Sequence, residues 1–246
     1  GCKLHRTLPK TLVRNWTGSM TLETSIECVL FDLDGTLVDT APDFIYVVNQ
    51  LLNKHNKPSM DPTLICRTVS DGARALVKLA FKIDDGDERF EGFNNQLLEL
   101  YEKKLGTTQS VLYPGLTRLL TALDESKISW GIVTNKPWKY SKKLLVQMNL
   151  FDRCSALICP DHVSNRKPNP EPILVACKQL GCSIRKTVYI GDHLRDIQAA
   201  KSAEVIAIAA AYGYLHPDAK IEEWQADFIV KDSTQIEELL GKLNFR

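Results

Sequence analysis

The chain has 246 residues, 44% hydrophobic and 25% charged, and its 31 Lys and Arg balance 30 Asp and Glu to a net charge of +1. That is enough chain for one large domain or for a main domain carrying an insertion, and the charge balance leaves no basic footprint for nucleic acid or an anionic membrane. No apolar run approaches the length of a membrane span. The seven cysteines are scattered without a C-x-x-C pair, which argues against a zinc site and for free thiols in a reducing cytoplasm.

Residues 1–20, GCKLHRTLPKTLVRNWTGSM, are basic and contain no acidic residue. They lack the continuous apolar segment of a secretory signal. An organellar transit peptide is one reading; an extension or cloning remnant ahead of a native start at Met20 is preferred. Residues 1–24 are therefore expected to be disordered and to stay outside the fold.

The first expected strand is IECVLF, 26–31, and it ends abruptly at Asp32, with Asp34, Gly35 and Thr36 close behind. From Thr40 to Tyr113 no strand is expected. Phe44, Val47, Val48, Leu51 and Leu52 make one amphipathic stripe, and Phe90, Phe93, Leu97 and Tyr101 another. Thr40 with Asp43 is expected to cap the first of these helices. Asp39 reads as a hinge or cap. In the segment VSDGARALVK, 69–78, Asp71 and Gly72 break the helical pattern and Arg74 opens a new helix. If that loop faces the site, Arg74 can read a substrate oxygen by paired hydrogen bonds; an exposed arginine in an interhelical turn is the competing reading, and Lys136 is a rival for substrate charge.

Beyond Tyr113 the pattern alternates. Leu116, Leu119, Leu120 and Leu123 mark a helix, ISWGIVT (128–134) a strand ending at Thr134 and Asn135, and SALIC (155–159) another strand. RKPNPEP, 166–172, holds Lys167 in an extended position before Pro168, with Asn169 and Pro170 opening a helix. TVYIG (187–191) ends at Asp192, and VIAIAAA (205–211) and DFIV (227–230) follow, before a helix marked by Ile236, Leu239, Leu240 and Leu243. The strands are almost continuously apolar, as in a parallel sheet covered on both faces. The expected fold is therefore a doubly wound α/β sheet, Rossmann-like, with an inserted helical unit. The division is 25–39 and 113–246 for the α/β core and 40–112 for a helical cap.

In such sheets ligands bind at the carboxyl ends of the strands. Three strands end there in polar residues: Asp32, then Thr134 with Asn135, then Asp192. Alone, Thr134 and Asn135 would read as a loop, Lys167 as a solvated lysine, and Asp196 as the acidic first turn of a helix. Together they suit Mg²⁺, which takes carboxylate oxygens and keeps waters. Asp32 is then placed to attack phosphorus and Asp34 to act as acid and base, while Thr134, the Asn135 backbone N–H and Lys167 neutralise phosphoryl charge.

Asp32-Leu33-Asp34-Gly35-Thr36, Thr134-Asn135, Lys167-Pro168 and Gly191-Asp192 with Asp196 match, in order, the four motifs of the haloacid dehalogenase-like hydrolase superfamily. The resemblance covers residues 29–232, and the insertion is similar to that family's helical cap. It implies a phosphatase of small phosphate esters, with Asp32 as nucleophile and Asp34 as acid/base. Gly35, Thr134, Asn135 and Lys167 would bind phosphate, and Arg74 would be a cap contact. Asp32, the Asp34 carbonyl and Asp192 would bind Mg²⁺, supported by Asp196. The chain looks most like phosphoglycolate phosphatases, and DTAPDF, VTNKP, ICPDHV, KPNPEP, LRDIQAA and YGY resemble the N-acetylmuramic acid 6-phosphate phosphatases. His193 departs from the small or acidic residue usual after Gly-Asp. Asp34 argues against a dehalogenase. A phosphomutase or a non-catalytic phosphate-binding module are the alternatives, and the assembly expected is a monomer or homodimer.

Overall fold

The computed structural model describes residues 25–243, so the expected disordered segment 1–24 lies outside the described residues. Strand β1 (Cys28–Phe31) leads into a two-residue strand β2 (Val38–Asp39). Four helices follow, α1 (Ala41–Lys54), α2 (Pro62–Thr68), α3 (Ala73–Phe81) and α4 (Phe90–Lys104), then a short strand β3 (Val111–Leu112). Helix and strand then alternate through α5 (Leu116–Glu125), β4 (Ser129–Val133), α6 (Trp138–Gln147), β5 (Ala156–Ile158) and α7 (Glu171–Leu180). The chain closes with β6 (Thr187–Gly191), α8 (Leu194–Ser202), β7 (Ile206–Ala210), β8 (Phe228–Val230) and α9 (Gln235–Lys242).

Six of these strands pair in parallel in the order β5-β4-β1-β6-β7-β8. The apolar runs are continuous because each strand feeds two cores. Val29, Phe31, Trp130 and Ile132 pack with the leucines of α5 and α9. Cys28 and Leu30 pack on the other face with Ile173 and Ala176 of α7 and Ile197 and Ala200 of α8. The register places Phe31 opposite both Ile132 and Ile190. Asp32, Thr134 and Asp192 therefore leave three adjacent strands within one residue of the same level. From β1 the chain builds first to one side and then to the other, and a crevice opens where that direction reverses.

The helical insertion begins and ends at a strand pair that the sequence pattern does not show. Val38 pairs antiparallel with Leu112 and Asp39 with Val111, so a strand does occur in the interval read as strand-free. Two residues are too few to display a period of two, which is why it goes unseen. Within the insertion, Phe44, Val47, Val48, Leu51 and Leu52 of α1 are buried, together with Phe90, Leu97 and Tyr101 of α4. Phe44 stacks on Tyr101 with ring centroids 4.2 Å apart.

The cap expected at the start of α1 is corrected. Thr40 makes no side-chain cap; its hydroxyl donates instead to Asp34 Oδ1 at 2.7 Å. The Tyr214 hydroxyl takes its place. It accepts from the N–H groups of Thr40 and Ala41 at 2.6 and 2.8 Å and donates to Asp39 Oδ1 at 2.6 Å. Asp39 itself accepts from Ala41 N–H at 3.1 Å. Asp43 is fully buried and gathers the chain where it leaves α4, accepting from the Gln109 N–H at 2.9 Å and the Ser110 hydroxyl at 2.8 Å, and from the Thr108 hydroxyl. Asp43→Ala strands these donors. It is expected to cost about 3 kcal/mol of unfolding free energy in a urea titration, whereas a loss below about 1 kcal/mol would show that water replaces the carboxylate.

Candidate active site

The carboxyl edge of the sheet holds a buried cation among acids. The Lys167 ammonium reaches Asp32 Oδ1 at 2.9 Å and Asp196 Oδ1 at 2.8 Å. It also donates to the Val133 carbonyl at 2.9 Å and the Tyr189 hydroxyl at 2.7 Å. Burial opposes its charge, but Asp196 and Asp32 outweigh that and raise its pKa. The loop delivering it is fixed from both sides. Asn135 Nδ2 donates to the Lys167 carbonyl at 3.0 Å, and Asn169 Oδ1 accepts from Glu171 N–H at 2.9 Å where α7 begins. Helix α7 starts one residue later than the sequence suggests, with Pro170 as its cap position.

Asp32, Asp192 and Asp196 are all buried and offer carboxylate oxygens within 4.8 Å of one another. One lysine does not neutralise three acids. Burial, only partly offset by Lys167, pushes Asp32 up to about 6. Burial, then Asp32 and Asp196, pushes Asp192 up to about 8. Such a cluster is short of positive charge, and its oxygen-only donor set suits a hard divalent cation. Asp192 accepts from Tyr214 N–H at 2.8 Å, from the Ser70 hydroxyl at 3.0 Å and from the Thr36 hydroxyl at 3.3 Å. Asp196 Oδ2 accepts from His193 N–H at 3.0 Å, which ties the first turn of α8 to the loop before it.

Asp34 points elsewhere. Its Oδ1 accepts from Lys136 Nζ at 2.8 Å and from the Thr40 hydroxyl. The Lys136 ammonium is itself buried over the rings of Tyr101 and Phe44, 4.6 and 4.9 Å from their centroids. Burial works against the Lys136 charge, yet Asp34 and then Tyr101 more than compensate and raise its pKa. Gly35 makes the split between the two acids possible. Its φ is +79°, and a Cβ there would lie 2.2 Å from Asp192 Oδ2. Thr134 lies beside the pair, its hydroxyl accepting from Lys136 N–H at 3.1 Å.

Asp32, Asp34, Thr134, Asn135, Lys136 and Lys167 share one cavity of about 490 Å³ with residues of the helical insertion, Arg74 among them. Arg74 is paired with Asp85 at 2.9 Å and Glu91 at 2.8 Å and stacks 4.5 Å from the Phe90 ring centroid. Asp192 and Asp196 are not among the residues that line that cavity.

Other partners escape sequence reasoning. Ser70 and Asp71 of the insertion reach the core directly. Asp71 accepts from His216 at 2.7 Å and His193 at 3.2 Å, and Arg195 donates to the Ser70 carbonyl. Because His193 Nδ1 accepts from Arg195 N–H at 3.2 Å, its Nε2 carries the proton given to Asp71. Burial would raise Asp71, but bonds from both histidines hold it at about 2. His193, unusual at its position, is therefore a contact between insertion and core. Tyr189 had one visible signal: a hydroxyl in the middle of a buried strand requires a partner.

Residues 29–210 match the family described as haloacid dehalogenase-like hydrolase, and the chain belongs to that family. Among curated proteins it is 39% identical over 215 residues to the N-acetylmuramic acid 6-phosphate phosphatase of Pseudomonas putida, covering 87% of this chain and 96% of that one. It is 40% identical over 208 residues to the phosphoglycolate phosphatase of Xanthomonas campestris, covering 85% and 93%. Among solved structures, a predicted phosphoglycolate phosphatase from Haemophilus somnus superposes with a TM-score of 0.77 at 28% identity, covering 88% of this chain and 99% of that one. Within the family the protein is a phosphatase of the phosphoglycolate phosphatase-like kind. No helix among the described residues is long and apolar enough to cross a membrane.

Gly213 gives this site a sharp test. A Cβ there would lie 2.3 Å from Asp192 Cβ and 2.4 Å from the Gly35 carbonyl oxygen. Gly213→Ala must displace Asp192 and is expected to lower phosphate release by about a hundredfold with the fold retained by circular dichroism. Full activity in that variant would mean that the position of Asp192 is not critical.

Proposed function

We propose that the protein hydrolyses small phosphate monoesters with Mg²⁺ through an aspartyl-phosphate on Asp32. The observation that carries this reading is the division of the two acids: Asp32 lies against Lys167, while Asp34, two residues on, is held on the cavity wall by Lys136 and Thr40. A carboxylate next to a fixed cation can accept a phosphoryl group. A second carboxylate on the other side of the same opening can move a proton.

In the first step an Asp32 oxygen bonds to phosphorus as the ester P–O bond breaks, and protonated Asp34 delivers its proton to the departing alcohol oxygen. In the second, Asp34 takes a proton from water, the resulting hydroxide attacks phosphorus, and inorganic phosphate leaves with Asp32 restored. Lys167, the Thr134 hydroxyl and the Asn135 N–H balance charge on the non-bridging oxygens. Asp32, the Asp34 carbonyl and Asp192 would hold Mg²⁺, with Asp196 positioning Lys167. When bound, the ion would offset repulsion between the anionic ester and Asp32.

Residues 40–112 act in this reading as a cap over the opening, with 25–39 and 113–246 as the catalytic core. The substrate is a small acidic or sugar phosphate, of the kind named for the relatives: N-acetylmuramic acid 6-phosphate or phosphoglycolate. Free cysteines throughout the described residues suit a reducing cytoplasm.

Asp32→Asn is expected to lower Mg²⁺-dependent phosphate release at least about a thousandfold. Acid-quenched wild type, but not the variant, should carry label from a ³²P-ester. Chelation should abolish turnover, and millimolar Mg²⁺ should raise the melting temperature of the wild type. Turnover that survives both Asp32→Asn and chelation would refute the mechanism.

A further inference from the structure

The cations that line the cavity are Arg74, Lys78, Lys136, Arg166, Lys167 and Arg195. All but one are engaged within the protein. Lys167 pairs with Asp32 and Asp196, Lys136 with Asp34, and Arg74 with Asp85 and Glu91. Lys78 shares Asp85, and Arg195 donates to the Ser70 carbonyl. Arg166 makes no ion pair and no side-chain hydrogen bond among the described residues. It is exposed and yet part of the cavity lining, so its side chain stands at the mouth, one residue before the lysine that is buried inside.

The backbone that carries Arg166 is fixed on both sides. Its own carbonyl accepts from Asn169 N–H at 3.0 Å, and the Lys167 carbonyl accepts from Asn135 Nδ2 at 3.0 Å. Ahead of it, the N–H groups of Ser164 and Asn165 both donate to Glu171 at 2.8 Å. Those bonds occupy Glu171 and leave Arg166 without a counter-ion in its own loop. A free guanidinium on a rigid loop can meet an incoming anion with no internal pair to break first. Arg74 can do so only by leaving two acids behind. The planar guanidinium also presents paired donors that match a carboxylate. The phosphoryl group already has Lys167, Thr134 and Asn135 in the reading above, so the anion left for Arg166 is a second one.

We propose that Arg166 selects phosphate esters whose alcohol part carries a carboxylate, by binding that carboxylate at the mouth of the cavity. The proposal rests on the phosphatase reading above and narrows its substrate. Both 2-phosphoglycolate and N-acetylmuramic acid 6-phosphate carry such a group. Arg166 is then a specificity residue for the alcohol part and takes no part in the chemistry at phosphorus. Because it is open to water, its contact with the carboxylate is screened and its effect is moderate.

The test compares kcat/KM for two matched pairs of esters in wild type, Arg166→Gln, Arg166→Lys and Arg74→Gln. One pair is 2-phosphoglycolate with ethyl phosphate. The other is N-acetylmuramic acid 6-phosphate with N-acetylglucosamine 6-phosphate, and in each pair the second ester lacks the carboxylate. Wild type is expected to prefer the acid in at least one pair. In that pair Arg166→Gln should lower the ratio of the acid to its counterpart about tenfold, mainly through KM. Arg166→Lys should restore part of it, since the charge returns without the paired donors. Arg74→Gln should change the ratio less than Arg166→Gln does. An unchanged ratio in Arg166→Gln, a larger fall in Arg74→Gln, or a wild type indifferent to the carboxylate in both pairs would overturn the assignment while leaving the phosphatase reading intact. Wild type inactive on all four esters would instead defeat the phosphatase reading, and this assignment with it.

Discussion

The ammonium of Lys167 is buried between Asp32 and Asp196, with the Val133 carbonyl and the Tyr189 hydroxyl completing its surroundings. Taking these charges out of water is expensive, and each is tolerable only because the others are in place. The arrangement therefore couples five separate stretches of chain, Tyr189 in the middle of β6 being one. The end of β1, the end of β4, the loop before α7 and the first turn of α8 must all arrive together, and the register of the parallel sheet is what brings them. Lys167 offsets part of the negative charge and leaves the remainder. That residual imbalance, with its oxygen-only donors, suits a hard divalent cation.

Close packing around Asp192 adds a second constraint. Gly35 and Gly213 approach it so nearly that neither position has room for a methyl group. Two loops, one after β1 and one after β7, thus close on a carboxylate that leaves β6. Tyr214 follows directly, its N–H on Asp192 and its hydroxyl on the start of α1. One residue therefore links the acid cluster to the first helix of the insertion.

At this edge polar and charged contacts join the insertion to the core, in addition to the buried apolar cluster that runs through both. Ser70 bonds to Asp192, Asp71 receives His193 and His216, and Lys136 reaches up between Phe44 and Tyr101 while holding Asp34. The bonds from His193 and His216 to Asp71 are partly open to water and so individually weak, whereas the Lys136–Asp34 pair is largely buried. The strand pair β2–β3 marks where the chain enters and leaves the helical insertion.

Much of this was legible in the amino-acid order. The six parallel strands followed from short, continuously apolar runs. The polar residues of the carboxyl edge stood out because Asp32, Thr134 and Asp192 each ended such a run, and helices α1, α4, α5 and α9 showed their apolar stripes. Such features depend on neighbours within a few residues, where periodicity and steric preference act directly. The tertiary structure alone decided the rest. The hydroxyl expected to cap α1 was drawn to Asp34, and a tyrosine some 170 residues later took over. Lys136, a rival for substrate charge in the sequence, proved to be paired with Asp34. Each of these outcomes depends on which distant group comes within 3 Å of a polar atom, and local sequence order carries no term for that distance.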